Sequence, residues 1–512
     1  MLGLPVAKAG TDDTRGIDVH IELRAMPDEV AIRPGAKTRV WRYRGKLLRG
    51  ESSALDESAA SFPGPIIRVR RGQRVRIDLI NGLPESTIIH WHGLHVPEAM
   101  DGHPRFAIAP GERYVYEFTV TNRAGSYWFH PHPHGRTGQQ VYLGLAGLFL
   151  VSDEEEAALD LPTGAHDLPL VIQDRSFDDD NQFVYLEAGG ADTGMQGHGM
   201  MGGGMMGGGM GPMMDRMMGV LGDEVLVNGQ PQAKLEVDRR AYRLRFLNAS
   251  NTRMYKLAWS DGSPLTVIGT DGGLLAAPAQ RDFVMLAPAE RVDLWQDFSR
   301  RQAGTELLLR SQAFQGGMQM NGMMGRASAL PDGAPFPVLR MRVRDGAATS
   351  AALPRRLSTL PPPRPQVAVN AAHPKVFALT MQMMAWGING ESFDMLGAST
   401  LETVKLGTHE VWEFRNENPA GMMNMAMPHA MHVHGLQFRV IARSVSGRLA
   451  RGYETVKAGL VDDGWKDTVL VMPGERVRIL LHFADYPGLF LYHCHMLEHE
   501  DIGMMRNYLV KA

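Results

Sequence analysis

Short stretches in which branched or aromatic residues alternate with charged ones recur along most of the chain. Residues 66–81, IIRVRRGQRVRIDLIN, set apolar against basic side chains, and residues 111–120, GERYVYEFTV, do the same with aromatics. Successive side chains of a strand point to opposite faces, so both stretches predict strands of an antiparallel sheet with one wet face. GLAGLFLVS (144–152) and GLFLY (488–492) are continuous apolar runs that predict buried strands.

The pattern repeats. The strand at 66–81 is followed by His90-Trp91-His92-Gly93, then by the Pro-Gly-Glu-Arg strand at 110–120, then by GSYWFHPHPHG (125–135). Near the C-terminus HEVWEFRNEN (409–418) is followed by His432-Val433-His434-Gly435, by PGERVRILLHF (473–483) and by GLFLYHCH (488–495). Self-similarity in this order predicts duplication of one β-sandwich unit. The middle third keeps the strands, as RRAYRLRFLNAS (239–250), PAERVDLWQDF (288–298) and VLRMRVR (338–344), but has no His-x-His pair. It is expected to be structural and to hold the outer two units in register. The reading divides the chain into units 1–165, 166–350 and 366–512, with a Pro- and Arg-rich linker at 351–365. A length of 512 residues suits about three domains.

Composition adds exclusions. The net charge of −3 with 21% charged residues gives no reason to expect a nucleic-acid partner. No apolar run is long enough to span a bilayer, which predicts a soluble protein, taken here as a monomer. One cysteine cannot form an internal disulfide, which frees Cys494 for metal or redox work. The first ten residues, MLGLPVAKAG, lack a basic segment followed by a long apolar one, so either the protein is cytoplasmic or its signal is not present in this sequence; the expected location is the periplasm or outside the cell. Of the 33 methionines, 14 lie in two Gly/Met tracts, 194–219 and 316–325, and so much glycine predicts mobile loops. An exposed loop has no packing reason to choose methionine, whereas thioethers suit cuprous copper.

The chemistry gathers in HCHMLEHEDIGMM (493–505). In a strand Cys494 faces away from His493 and His495, so the thiolate and its neighbouring imidazoles serve two different sites. One cysteine, two histidines and a methionine form the ligand set of a blue copper centre. A single His-x-His pair is weak evidence for metal, but two pairs in each of two repeated units are strong. His429 stands upstream of one pair, and His499 follows His495 by four residues. A zinc reading fits poorly, because structural zinc sites use four closed ligands near one another in sequence.

These motifs resemble those of the multicopper oxidases, and HPHPHGRTGQQVYLGLAG (130–147) with the C-terminal tail is most similar to the bacterial copper efflux oxidase and bacterial laccase branch. The resemblance implies three cupredoxin-like Greek-key β-sandwich domains and four copper ions. It implies that His429, Cys494, His499 and Met504 hold the blue (type 1) copper and that His90 and His432 hold the type 2 copper. It assigns His92, His130 and His495 to one copper of the type 3 pair, and His132, His434 and His493 to the other. His134, at the turn after His132, is expected to be a non-ligand, and His95, His103, His166, His198, His373, His409 and His482 match no ligand position. Asp101 and Glu500 resemble the acids that relay protons to the cluster. Dioxygen is the implied acceptor, and cuprous ion or phenols are the implied reductants. A cuprous site of this branch uses Met and Asp side chains before the first histidine of His-x-x-His-x-His; here GMMNMAMP (421–428) supplies Met425 and Met427 but no carboxylate, and Met320, Met323 or Met324 would complete a thioether-only site. The alternative function is a resistance protein that sequesters copper in its Met tracts with little turnover.

Overall fold

In a computed structural model of the protein, residues 15–57, 62–186, 216–316, 328–349, 352–382, 385–417 and 427–512 are described. Their strands form six sheets that pair along the chain: four and five strands in the first third, seven and five in the middle, five and five in the last. Each pair encloses its own apolar cluster, around Trp91, Tyr116 and Phe149, around Phe246, Trp259 and Leu309, and around Trp412, Phe438 and Tyr492. The fold is all-β, three cupredoxin-like sandwiches in succession. The first strand of the second sandwich, Asp167–Arg175, pairs in parallel with Ala241–Asn248.

Two expectations change in detail. The run 66–81 is not one strand: Gly72 takes a φ of +90° and splits it into Ile66–Arg70 and Arg74–Asn81, which belong to different sheets. Neither sheet is purely antiparallel, since Ile66–Arg70 runs parallel to Gly147–Ser152 and Arg74–Asn81 runs parallel to Val19–Val30. Arg74–Asn81 lies between two strands and is buried over most of its length, so its charged residues need partners. Arg76 and Asp78 supply one another with an ion pair at 3.1 Å. The Pro- and Arg-rich stretch is also more than a spacer. Leu357 is buried among Ala241, Ile268 and Trp295, and the Ser358 hydroxyl donates to the carbonyl of Leu275 at 2.9 Å, so this stretch is strapped along the second sandwich.

The repeat places the chemistry. In the first sandwich Ile89–His92 pairs antiparallel with Gly125–Pro131, with His90 opposite His130. In the third, His429–Val433 pairs antiparallel with Gly488–Cys494, with His432 opposite His493 and Met431 opposite Cys494. Each His-x-His therefore lies beside the second His-x-His of its own unit. Gly93 and Gly435, at φ of +85° and +70°, turn the chain immediately after the first pair of each unit. A Cβ at Gly93 would lie 2.4 Å from the Asp467 carboxylate, so only glycine fits there.

Candidate metal centre

Cys494 ends a buried strand, and the chain returns to it through the short helix Leu497–Asp501. The Cys494 amide donates to the carbonyl of Met504 at 3.0 Å, and the Met504 amide to that of His499 at 2.9 Å, which brings Met504 back toward the thiol. The sulfur lies 3.5 Å from His429 Nδ1 and 3.7 Å from His499 Nδ1, and all three residues are buried. Burial pushes the Cys494 thiol up to about 12 and holds His499 down at about 3. Such a thiol stays protonated at neutral pH unless a cation stabilises its thiolate.

Eight further imidazoles meet between the first and third sandwiches. His90 Nε2 lies 3.2 Å from His432 Nε2, His434 Nε2 3.0 Å and His132 Nε2 3.4 Å from His493 Nε2, and His130 Nε2 3.3 Å from His495 Nε2. His92 completes the group, with its ring 5.0 Å from that of His495. Burial holds His90, His92, His432, His434 and His495 well below the usual histidine range, His130 at about 3 and His132 at about 4. These rings are therefore neutral at physiological pH. Several direct a ring N–H at a backbone carbonyl: His90 Nδ1 donates to Asp101, His432 Nδ1 to Asp467, His130 Nδ1 to Pro131 and His493 Nδ1 to Cys494. That fixes the tautomer and aims Nε2 lone pairs at one another, an arrangement that repels unless cations lie between them. The donor set fits copper: imidazole suits it, and the separate thiolate, imidazole and thioether group defines an electron-transfer site.

Both acids singled out in the sequence reach the cluster. Asp101 Oδ2 lies 2.8 Å from His434 Nδ1, and burial, with the nearby Glu98 charge, raises its carboxyl well above the usual range. Glu500 Oε2 lies 3.1 Å from His493 Nδ1 and its Oε1 lies 3.6 Å from His132 Nε2. His134 is exposed, with its ring 5.1 Å from Phe393. The variant His134→Ala is expected to keep the parent's copper content and absorption spectrum; loss of copper by elemental analysis would reverse that assignment. His103 is buried with its Nε2 2.9 Å from Asn507 Oδ1, and His95 pairs with Asp485 at 2.7 Å.

Sequence reasoning did not find Asp467. Its Oδ1 is 3.0 Å from His92 Nε2, its carbonyl accepts from His432, and its carboxylate takes two bonds from Arg291 of the middle sandwich, at 2.6 and 2.7 Å. Arg291 also donates to the carbonyl of Ser126 in the first sandwich, so one buried guanidinium ties all three units together beside the cluster. The middle unit likewise grips the short helix, where Glu498 accepts from Asn251 and Thr252 at 2.7 and 2.6 Å. No repeat or spacing marks these residues, because most of their partners lie well over a hundred positions away.

Of the methionines proposed for substrate, Met427 is 2% exposed and sits in the third apolar cluster, so it packs rather than faces solvent. Met425, Met320, Met323 and Met324, like His198 and most of both Gly/Met tracts, lie outside the described residues. The end of the first tract is described: Met217 and Met218 are buried, and the Met217 carbonyl accepts from His499 Nε2 at 3.0 Å.

Three cupredoxin-like sandwiches, with a Cys/His/His/Met group linked by adjacent residues to an eight-imidazole cluster between the outer two, define a copper oxidase. Models of the multicopper oxidase family match residues 47–156 and 368–512. A laccase of Bacillus stratosphericus is 31% identical over 509 residues, covering 92% of this chain and 90% of that protein. The crystal structure of the McoA multicopper oxidase of Aquifex aeolicus superposes with a TM-score of 0.77 at 33% identity, covering 96% of each chain. The cell division protein FtsP of Escherichia coli is 30% identical over 93% of this chain and 86% of its own, so overall likeness alone does not select an activity. The chain belongs to the multicopper oxidase family.

Proposed function

We propose that the protein couples one-electron oxidation of small organic reductants, phenols foremost, to the four-electron reduction of dioxygen to water. The observation that carries this reading is the hydrogen bond from His493 Nδ1 to the Cys494 carbonyl at 3.1 Å. It joins the sulfur-bearing residue to a cluster imidazole by a path of few bonds, which is what two redox sites in series need. Bound copper would supply one-electron acceptance at His429, Cys494, His499 and Met504, and dioxygen chemistry at His90, His92, His130, His132, His432, His434, His493 and His495. The chain's own groups orient those imidazoles through backbone carbonyls, keep the cluster buried, hold a proton beside it at Asp101, and offer a proton acceptor at Glu500, whose carboxyl the facing His132 and His493 keep below its usual range. Asp101→Asn is expected to lower oxygen turnover by about one to two orders of magnitude while leaving the blue absorption in place. Unchanged turnover would remove Asp101 from the relay.

Burial of Met427 and the lack of a carboxylate before His429 favour an organic reductant over a dedicated cuprous site. The contact of Met217 with His499 favours a second reading, cuprous ion delivered along the Met tract. Oxygen uptake with 2,6-dimethoxyphenol and with cuprous ion, before and after deletion of residues 194–215, separates them. The cut stops short of Met217 because that residue is packed. Retained phenol oxidation with loss of cuprous oxidation supports both substrates with the tract serving the metal. Absence of uptake with either, in protein loaded with copper, favours sequestration and overturns the oxidase reading.

A further inference from the structure

His90, His130, His432 and His493 point Nδ1 at a backbone carbonyl, which leaves Nε2 for a metal. His92 is held the other way round. Its Nε2 lies 3.0 Å from Asp467 Oδ1 and 3.1 Å from the Thr468 hydroxyl, while its Nδ1 is buried with no hydrogen-bond partner. The ring lies flat on that of His432, with centroids 3.7 Å apart and planes 13° from parallel. Two stacked imidazoles from different sandwiches thus bring opposite nitrogens to one dipeptide, Asp467-Thr468.

That dipeptide settles where the ring protons are. Arg291 places one N–H on each Asp467 carboxylate oxygen, at 2.7 and 2.6 Å, so the carboxylate is ionised and only accepts. The Thr468 hydroxyl spends its own proton on Asp467 Oδ1 at 3.1 Å, which leaves it only lone pairs for His92 Nε2 and, at 3.3 Å, for His432 Nδ1. Both of those ring nitrogens therefore carry the hydrogen. The free lone pairs are on His92 Nδ1 and on His432 Nε2, and the second lies 3.2 Å from His90 Nε2. His92, His432, Asp467 and Thr468 are each 0% exposed, so bulk solvent does not compete for these bonds.

The dipeptide is itself fixed from elsewhere. Arg291 belongs to the middle sandwich, which supplies none of the assigned ligands. A Cβ at Gly93 would lie 2.4 Å from Asp467 Oδ2 and 2.9 Å from the Arg291 guanidinium, so the glycine beside His92 is what lets this pair come so close. Resting on the copper reading above, we propose that Asp467 and Thr468 are positioning residues that make the stacked rings offer opposite nitrogens, His92 its Nδ1 and His432 its Nε2, to two different coppers. The arrangement spans all three sandwiches, and through it the middle one acts on the cluster without holding a metal.

The test combines a structure with copper retention. In crystals of the copper-loaded protein His92 is expected to bind through Nδ1 and His432 through Nε2. Asp467→Asn leaves one acceptor oxygen and an NH2 group, which faces either Arg291 or His92 Nε2 and in the second case drives the ring proton onto Nδ1. Cluster copper, counted by elemental analysis after dialysis against graded EDTA, should then be held about 10- to 100-fold more weakly, with the blue absorption of the mononuclear site unchanged. Thr468→Val should shift retention the same way, and Thr468→Ser, which keeps the hydroxyl, should restore it. A merely structural role lowers the urea midpoint but leaves retention in the folded protein equal across these variants. His92 bound through Nε2, or cluster retention equal in Thr468→Val and Thr468→Ser, overturns the assignment. Both readouts stand without Asp467→Asn if that variant does not fold. Failure of the copper reading shows instead in the parent protein, which then holds no copper at the cluster.

Discussion

Replacing Cys494 with Ser is expected to eliminate the intense blue absorption and to cut oxygen uptake with every reductant by more than about thousandfold, a barrier increase of roughly 4 kcal/mol. The reason is positional. Cys494 is 0% exposed, its sulfur lies within 3.7 Å of both His429 and His499, and its carbonyl receives the hydrogen bond from His493. A serine hydroxyl keeps the backbone path but not the soft, easily deprotonated donor that a blue copper site requires. The cluster imidazoles use none of that sulfur, so copper analysis should show loss at the mononuclear site with retention at the cluster. A variant that remained blue, or kept parental turnover, would remove Cys494 from electron entry.

The second large effect concerns stability. Arg291→Ala should destabilise the fold by about 3–5 kcal/mol, because it leaves buried carboxylates without their cation. Arg291 is 1% exposed and bonds Asp467 twice, while Asp271 supplies its carbonyl at 2.9 Å and a carboxylate oxygen at 3.7 Å. Lys466 remains near Asp271 and Glu290, at 3.1 and 3.0 Å, and offsets part of the loss. The Arg291 side chain touches no cluster imidazole, yet it fixes Asp467, which bonds His92 and His432. The variant should therefore lose copper from the cluster as well as unfold at lower urea. Denaturation midpoints and copper retention after dialysis measure the two effects separately. A midpoint equal to the parent's would show that the buried ion pair contributes nothing net.

Much of the site was legible because its ligands come in motifs. Strand alternation separates Cys494 from its two neighbours, and the repeated order of His-x-His, Pro-Gly-Glu-Arg strand and second His-x-His announces two related units sharing a centre. The register confirms the physical sense of that repeat, with His90 opposite His130 and His432 opposite His493. Less legible were the strand boundaries. The run 66–81 reads as one alternating strand, and only the turn at Gly72 and the parallel partners Val19–Val30 and Gly147–Ser152 divide it. The Met tract reads as loop throughout, yet its residues Met217 and Met218 are buried.

What the sequence determined by itself is the chemistry within a few residues of each motif: which donors exist, how they alternate along a strand, and that two units carry them. Those properties follow from local backbone geometry. Only the tertiary structure decided which donors face one another across the first and third sandwiches, that Arg291 of the middle unit anchors Asp467 beside them, and that the Trp386 ring packs against both His429 and His499. These contacts join residues from about forty to several hundred positions apart through burial and charge pairing. No periodicity in a single chain records them.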